Sequence, residues 1–221
     1  MLQSFTRFLS FLASFFWTGP RKPLDFAGLL PGAVIPKRTL PPGRYIQVYR
    51  DAIRGRNQAA KMAAIATALD QFKAVGIKGV LWHGFVGELD ASKFKELSAM
   101  CAARGLLSLA AFGLGPSEPE KSGKWIGEIA NLPECFAVVF DMEGAWEIPS
   151  GKTKAMALGK AFRDVAPNAL ALDQPWADPT VHWSLFPWEE TAVFIDARYP
   201  QFYVNNWFRE LGEKRYAQCW T

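Results

Sequence analysis

Cysteine and histidine are scarce in this chain. The three cysteines, Cys101, Cys135 and Cys219, are odd in number, far apart and without C-x-x-C spacing. Neither a disulfide framework nor a zinc knuckle is therefore indicated, and buried free thiols are expected. Two histidines, His83 and His182, cannot build a His-rich metal site, and H-E-x-x-H is absent, so no metal or other cofactor is expected. Charge of one sign is not concentrated either. Against 21 acidic residues stand 25 Lys and Arg, a net charge of +4, and the basic residues are dispersed rather than gathered in a stripe, which gives no indication of a nucleic-acid partner. Nor is there a G-x-S-x-G turn or a Cys and His pair in a recognisable setting, which leaves nucleophilic acyl chemistry without a candidate.

Rings are abundant: 17 Phe, 9 Trp and 5 Tyr in 221 residues, half of them apolar. This is a globular composition, sized for one fair domain with an appendage. Residues 1–17 place Phe5, Phe8, Leu9, Leu12, Phe15 and Phe16 at helical spacing opposite Gln3, Arg7, Ser10 and Ser14, which predicts an amphipathic helical arm too short to span a bilayer. Three fates are open to it: cleavage as a signal peptide, binding to a membrane surface or protein partner, or docking on its own domain. Residues 18–43 are rich in proline and glycine and read as an extended strap. The domain proper is expected over residues 44–221.

There the pattern becomes regular. β-prone runs occur at Tyr45–Tyr49, Gly79–His83, Leu107–Phe112, Ala137–Asp141, Ala169–Asp173 and Thr191–Ala197, with a further run at Arg215–Trp220. Between them are helical faces: Met62, Ile65, Leu69 and Phe72 up to Gly76; Phe94, Leu97 and Cys101 from an Asp90 N-cap to Gly105; Trp125, Ile129 and Leu132 before Pro133; Ala155, Leu158, Phe162 and Val165 before Pro167. Strands about 30 residues apart are the rhythm of βα units wound in one sense. An open nucleotide-binding sheet would want a G-x-G-x-x-G turn after its first strand, and Gly113-x-Gly115-Pro116 is a weak substitute. The expected fold is therefore α/β, a (β/α) TIM-like barrel. Eight units need about 240 residues and the whole chain has 221, so the barrel is expected to be shortened or incomplete.

The chemistry concentrates in Phe136–Glu147, FAVVFDMEGAWE, where an apolar strand ends in Asp141-Met142-Glu143. Alternation puts Val139, Asp141 and Glu143 on one side, with the two acidic Cα atoms about 6.5–7 Å apart. That spacing serves either stereochemical course of glycoside hydrolysis. Repulsion between the pair would leave one group protonated as the acid and the other charged; Glu143, the longer, is assigned the acid. Alternatively the two carboxylates finish the strand and pair with Arg198 and Lys152. Asp173 and Asp196 close the next two strand runs, and Trp82, Trp146, Trp176, Trp188, Tyr203 and Trp207 fall near strand ends or loops, where flat rings suit sugar faces.

These features resemble glycoside hydrolase family 25, the lysozyme type that cleaves peptidoglycan. The likeness rests on the strand ending Asp141-x-Glu143, on Gly105–Phe112 before it, on the strand with Asp173 after it, on Val193–Tyr199 and on the closing Gln218-Cys219-Trp220. Family 18 barrels carry a further Asp two residues upstream, where this chain has Val139. The chain departs from family 25 in its first strand, which there supplies an Asp near the lumen; here Gln47 and Tyr49 occupy it and Asp51 lies beyond. The resemblance implies a lysozyme-like glycosidase acting on peptidoglycan or a related polysaccharide, secreted or associated with a cell envelope or virion. Glu143 and Asp141 would be catalytic, Asp173 and Asp196 would contact substrate or support the residues that do, and Trp82, Trp176, Tyr199 and Tyr203 would contact substrate. A non-catalytic barrel, anchored in a virion or membrane by its arm, is the alternative.

Overall fold

The computed structural model describes residues 14–17, 39–49, 58–174 and 185–198. Among them run β1 (Ser14–Trp17), β2 (Gly43–Tyr49), α1 (Gln58–Ala74), β3 (Ile77–Phe85), α2 (Ala91–Ala102), β4 (Leu107–Leu114), α3 (Pro119–Ala130), β5 (Ala137–Met142), α4 (Gly151–Val165), β6 (Ala171–Asp173), α5 (Trp188–Ala192) and β7 (Ala197–Arg198). The strands form one sheet in chain order. β2 to β7 are all parallel and curl into a six-stranded half-barrel, an incomplete α/β barrel. No helix among the described residues is long and apolar enough to cross a membrane.

Two expectations change. Of the helix predicted over residues 1–17, Ser14–Trp17 is instead a strand, antiparallel to β2 with Ser14 opposite Ile46 and Trp17 opposite Gly43. The strand covers the open edge of β2. Residues 1–13 lie outside the described residues, as do most of the strap and the run at Arg215–Trp220. The strand predicted at Thr191–Ala197 is mostly helix and turn. Pro187 and the first-turn acids Glu189 and Glu190 start α5, a helix-opening signal that outweighs the β-branched run behind it, and only Ala197–Arg198 pair with β6.

The other helices form as their spacing dictates. Asp90 caps α2, its Oδ1 accepting from Lys93 N at 2.8 Å. Gly105, at φ +70°, closes it, and Leu106 N–H returns to the Cys101 carbonyl at 3.0 Å, a turn only glycine enters without strain. Cys101 and Cys135 are buried thiols outside any disulfide among the described residues; burial pushes the Cys101 thiol up against the opposing influence of Ser108 and Trp82 beside it.

Strand alternation separates two apolar layers. Between sheet and helices lie Ile46, Val80, Trp82, Phe112, Val138, Phe140, Leu158 and Phe162. Phe140 meets Phe162 and Phe194 edge to face at 5.1 and 5.4 Å. The concave side is floored by Tyr45, Leu81, Leu109, Ala111, Ala137, Val139 and Leu172. A large apolar side chain so buried contributes roughly 1.5–3 kcal/mol, so both layers favour this curl.

Candidate active site

Above the concave floor, toward the carboxyl ends of the strands, the polar side chains begin. Register places His83 of β3 beside Ala111 of β4, and Gly113 of β4 beside Asp141 of β5. His83 and Asp141 thus flank a strand that carries only small residues at their level. Across it His83 Nε2 lies 2.9 Å from Asp141 Oδ2, both side chains more than 90% buried. A carboxylate oxygen only accepts, so in this contact Nε2–H is the donor.

β5 ends at Met142, yet Glu143 keeps extended backbone (φ −117°, ψ −164°) before the 3₁₀ turn Gly144–Trp146. Alternation therefore continues through it, so that Glu143, half-buried, follows Asp141 on the concave side at the mouth. The turn is anchored from beneath: Trp146 is fully buried and its Nε1 donates to the Leu114 carbonyl at 2.7 Å. Phe85, two residues after His83, is 55% exposed and meets the imidazole edge-on at 6.2 Å. A β-carbon on Gly113 would lie 2.9 Å from the Phe85 ring, so the glycine makes room for it.

Of the other expected site residues, three occupy the opposite layer or the scaffold. Trp82, 1% exposed, packs in the layer facing the helices; its neighbours Leu81 and His83, not Trp82, have the concave phase. Asp173 is fully buried and pairs with Phe140 of the helix-facing layer in register. Its Oδ2 lies 3.3 Å from Arg198 Nε. Burial pushes Asp173 up to about 7, with Arg198 opposing and Asp141 adding to the rise. Asp196 precedes β7, so it sits at the amino end of that strand rather than its carboxyl end. It accepts from Arg163 Nη2 at 3.0 Å and from Ala171 N at 2.7 Å. Burial raises it, and those two donors act against the rise. Trp176, Tyr199 and Tyr203 lie outside the described residues.

The basic partners suggested for the Asp141 and Glu143 pair are engaged with other acids: Lys152 reaches Glu190 at 3.7 Å and Arg198 reaches Asp173. Trp188 lies beneath the Arg198 guanidinium at 5.0 Å and tilted against Phe186 at 4.5 Å, which makes it a packing ring. The residues that sequence reasoning left out of the site are His83, Phe85 and Gly113. Their signal was the phase of Leu81-Trp82-His83-Gly84-Phe85: once Leu81 is assigned to the floor, His83 and Phe85 must follow it. Gln47, on the first parallel strand, is on the concave side beside Leu81 and is completely buried. Among the described residues no cluster of three or more His, Cys, Asp or Glu could hold a metal ion.

No family model matches this chain, and no curated protein matches it. Among solved structures the chain is similar to the complex of the virulence factor SghA with its substrate analog salicin, with 15% identity and a TM-score of 0.37 over 52% of this chain. It spans 36% of that protein. A superposition this shallow transfers nothing about substrate or residues.

Proposed function

We propose that the protein is a glycoside hydrolase acting on peptidoglycan or a related polysaccharide, with Glu143 as proton donor and Asp141 as its charged partner. The observation that carries this reading is the pair at the mouth: two acids one alternation apart on the concave side, the inner one held by His83 at 2.9 Å and the outer one half-buried. Such an arrangement gives the carboxyls different surroundings, which is how one becomes acid and the other stays charged. The spacing accommodates a glycosidic oxygen at Glu143 and the developing positive sugar centre near Asp141.

The test is loss of turbidity of purified bacterial cell walls, between about pH 4 and pH 8, by the wild type, Glu143→Gln and Asp141→Asn. Clearing by the wild type and a loss of about 100-fold or more in Glu143→Gln are expected for a general acid. Clearing that survives in Glu143→Gln, or no clearing by any form, would sink the proposal.

A second reading, a non-catalytic barrel serving as a structural or anchoring module, is favoured by one observation: Asp173 and Asp196 are tied to Arg198 and Arg163, which leaves two acids rather than four for the mouth. It requires that no glycan be cleaved. It also requires that removing residues 1–13, which spares β1, abolish attachment to a membrane or particle while the domain stays folded.

A further inference from the structure

We infer that His83 is a positioning residue, whose Nε2–H fixes the orientation of the Asp141 carboxylate toward the mouth of the half-barrel. Its consequence for rate rests on the glycosidase reading; the contact itself rests on geometry.

Strands in a sheet are spaced about 4.8 Å apart, so β3 and β5, with β4 between them, are separated by about 10 Å. Side chains bridge that gap only if the intervening strand carries nothing tall. Ala111 and Gly113 are what β4 presents there. A β-carbon on Gly113 would stand 3.4 Å from His83 Cε1 and 2.9–3.0 Å from the Phe85 ring, so even a methyl group would touch the imidazole and crowd the ring beside it.

The surroundings make the contact consequential. Below it lie Leu81, Leu109, Ala137 and Val139, all buried, where a polar pair is expensive unless hydrogen-bonded. An apolar pair of similar size would hold a floor at least as well, so stability alone does not account for a histidine and an aspartate here. An ion-assisted hydrogen bond at 2.9 Å in a dry setting does hold a carboxylate in one rotamer. Asp141 has a short side chain, and the oxygen that His83 takes decides how the carboxylate is presented beside Glu143.

Two readouts on the full chain test this. In protein labelled with ¹⁵N-histidine, an imidazole N–H resonance that persists in water is expected, because a shielded, hydrogen-bonded hydrogen exchanges slowly. His83→Gln assigns the resonance by removing it, and Asp141→Ala abolishes it while the circular dichroism of the folded protein is retained. A resonance unchanged in Asp141→Ala overturns the contact. On glycan, His83→Ala is expected to lower kcat about 30- to 100-fold with KM within about two-fold, the mark of lost orientation rather than lost binding. His83→Gln keeps an N–H donor and is expected to recover at least about ten-fold of that loss. Equal losses in both variants, or a loss carried by KM, overturn the positioning role. Absence of cleavage by any form strikes the glycosidase reading and with it the kinetic consequence, and the resonance then decides the contact by itself.

Discussion

Asp173 and Arg198 meet at 3.3 Å beneath α5, on the side of the sheet that faces the helices. Arg198 Nη2 also donates to the Trp188 carbonyl at 2.7 Å and to Thr191 Oγ1 at 2.5 Å. The pair therefore links β6 and β7 to the short helix above them, and its acid serves the scaffold.

Burial holds Asp173 up at about 7, above its ordinary 3.8. Between those values the folded protein binds a proton that the unfolded chain does not. The stability this gives is complete below about pH 4 and is lost as pH rises through about 7. The unfolding free energy of the wild type minus that of Asp173→Asn is thus expected to increase as pH falls from about 8 to about 5. Urea denaturation at the two values measures it; a flat difference, or one of opposite sign, contradicts the assignment.

Asp196 is expected to matter for stability and not for turnover. Its Oδ2 accepts from the Ala171 N–H and from Arg163, and Arg163 also donates to the carbonyls of Phe194 and Ala169 at 2.6 and 2.7 Å. Asp196→Ala strands a backbone N–H and part of a guanidinium in a half-buried corner, at a cost of about 2–4 kcal/mol. Activity per folded molecule should equal that of the wild type. A variant as stable as the wild type, or one folded but inactive, would show that this acid has another task.

The contrast between these two acids and Asp141 shows where the sequence was legible. The period of the helices and the spacing of the strands were enough to place α1 to α4 and β2 to β6, because both follow from where apolar residues recur. That Asp141 shares the side of Val139 was legible because strand alternation fixes it. The side of the sheet that Asp173 takes was not legible, because its strand is only three residues long and a short apolar run gives no phase by itself. The phase comes from Leu172 opposite Val139, which is a tertiary fact. His83 was hidden for a related reason: its partner is 58 residues away, and nothing local marks a histidine as facing a carboxylate across a third strand.

Gly123 sets the approach of α3 to α4. A β-carbon there would lie 2.4 Å from the Leu158 carbonyl oxygen and 2.9 Å from Phe162 N, and backbone atoms cannot rotate away as a side chain can. Gly123→Ala is expected to cost about 1–3 kcal/mol through forced separation of the two helices. Gly115→Ala, where a β-carbon meets nothing within 4 Å, should fall within about 0.5 kcal/mol of the wild type. Denaturant midpoints of the two variants, side by side, test whether the close contact or the glycine itself is at issue; equal midpoints rule out the contact.

Gln47 is a polar side chain in the floor of the half-barrel. It is completely buried, beside Leu81 in register, and neither its Oε1 nor its Nε2 has a hydrogen-bond partner among the described residues. An amide removed from water without compensation costs about 1–3 kcal/mol. Methionine has nearly the same length and volume and no such requirement, so Gln47→Met is expected to raise the unfolding free energy by about that amount, with no change of fold. Gln47→Asp is the informative companion: a carboxylate buried at this point of the apolar floor should lower stability, and more so as pH rises above the ordinary carboxylate range. Thermal unfolding at about pH 5 and about pH 8 separates the cases. A methionine variant less stable than the wild type would mean that the amide is satisfied by a partner, and the floor would then have to be counted as polar at this point.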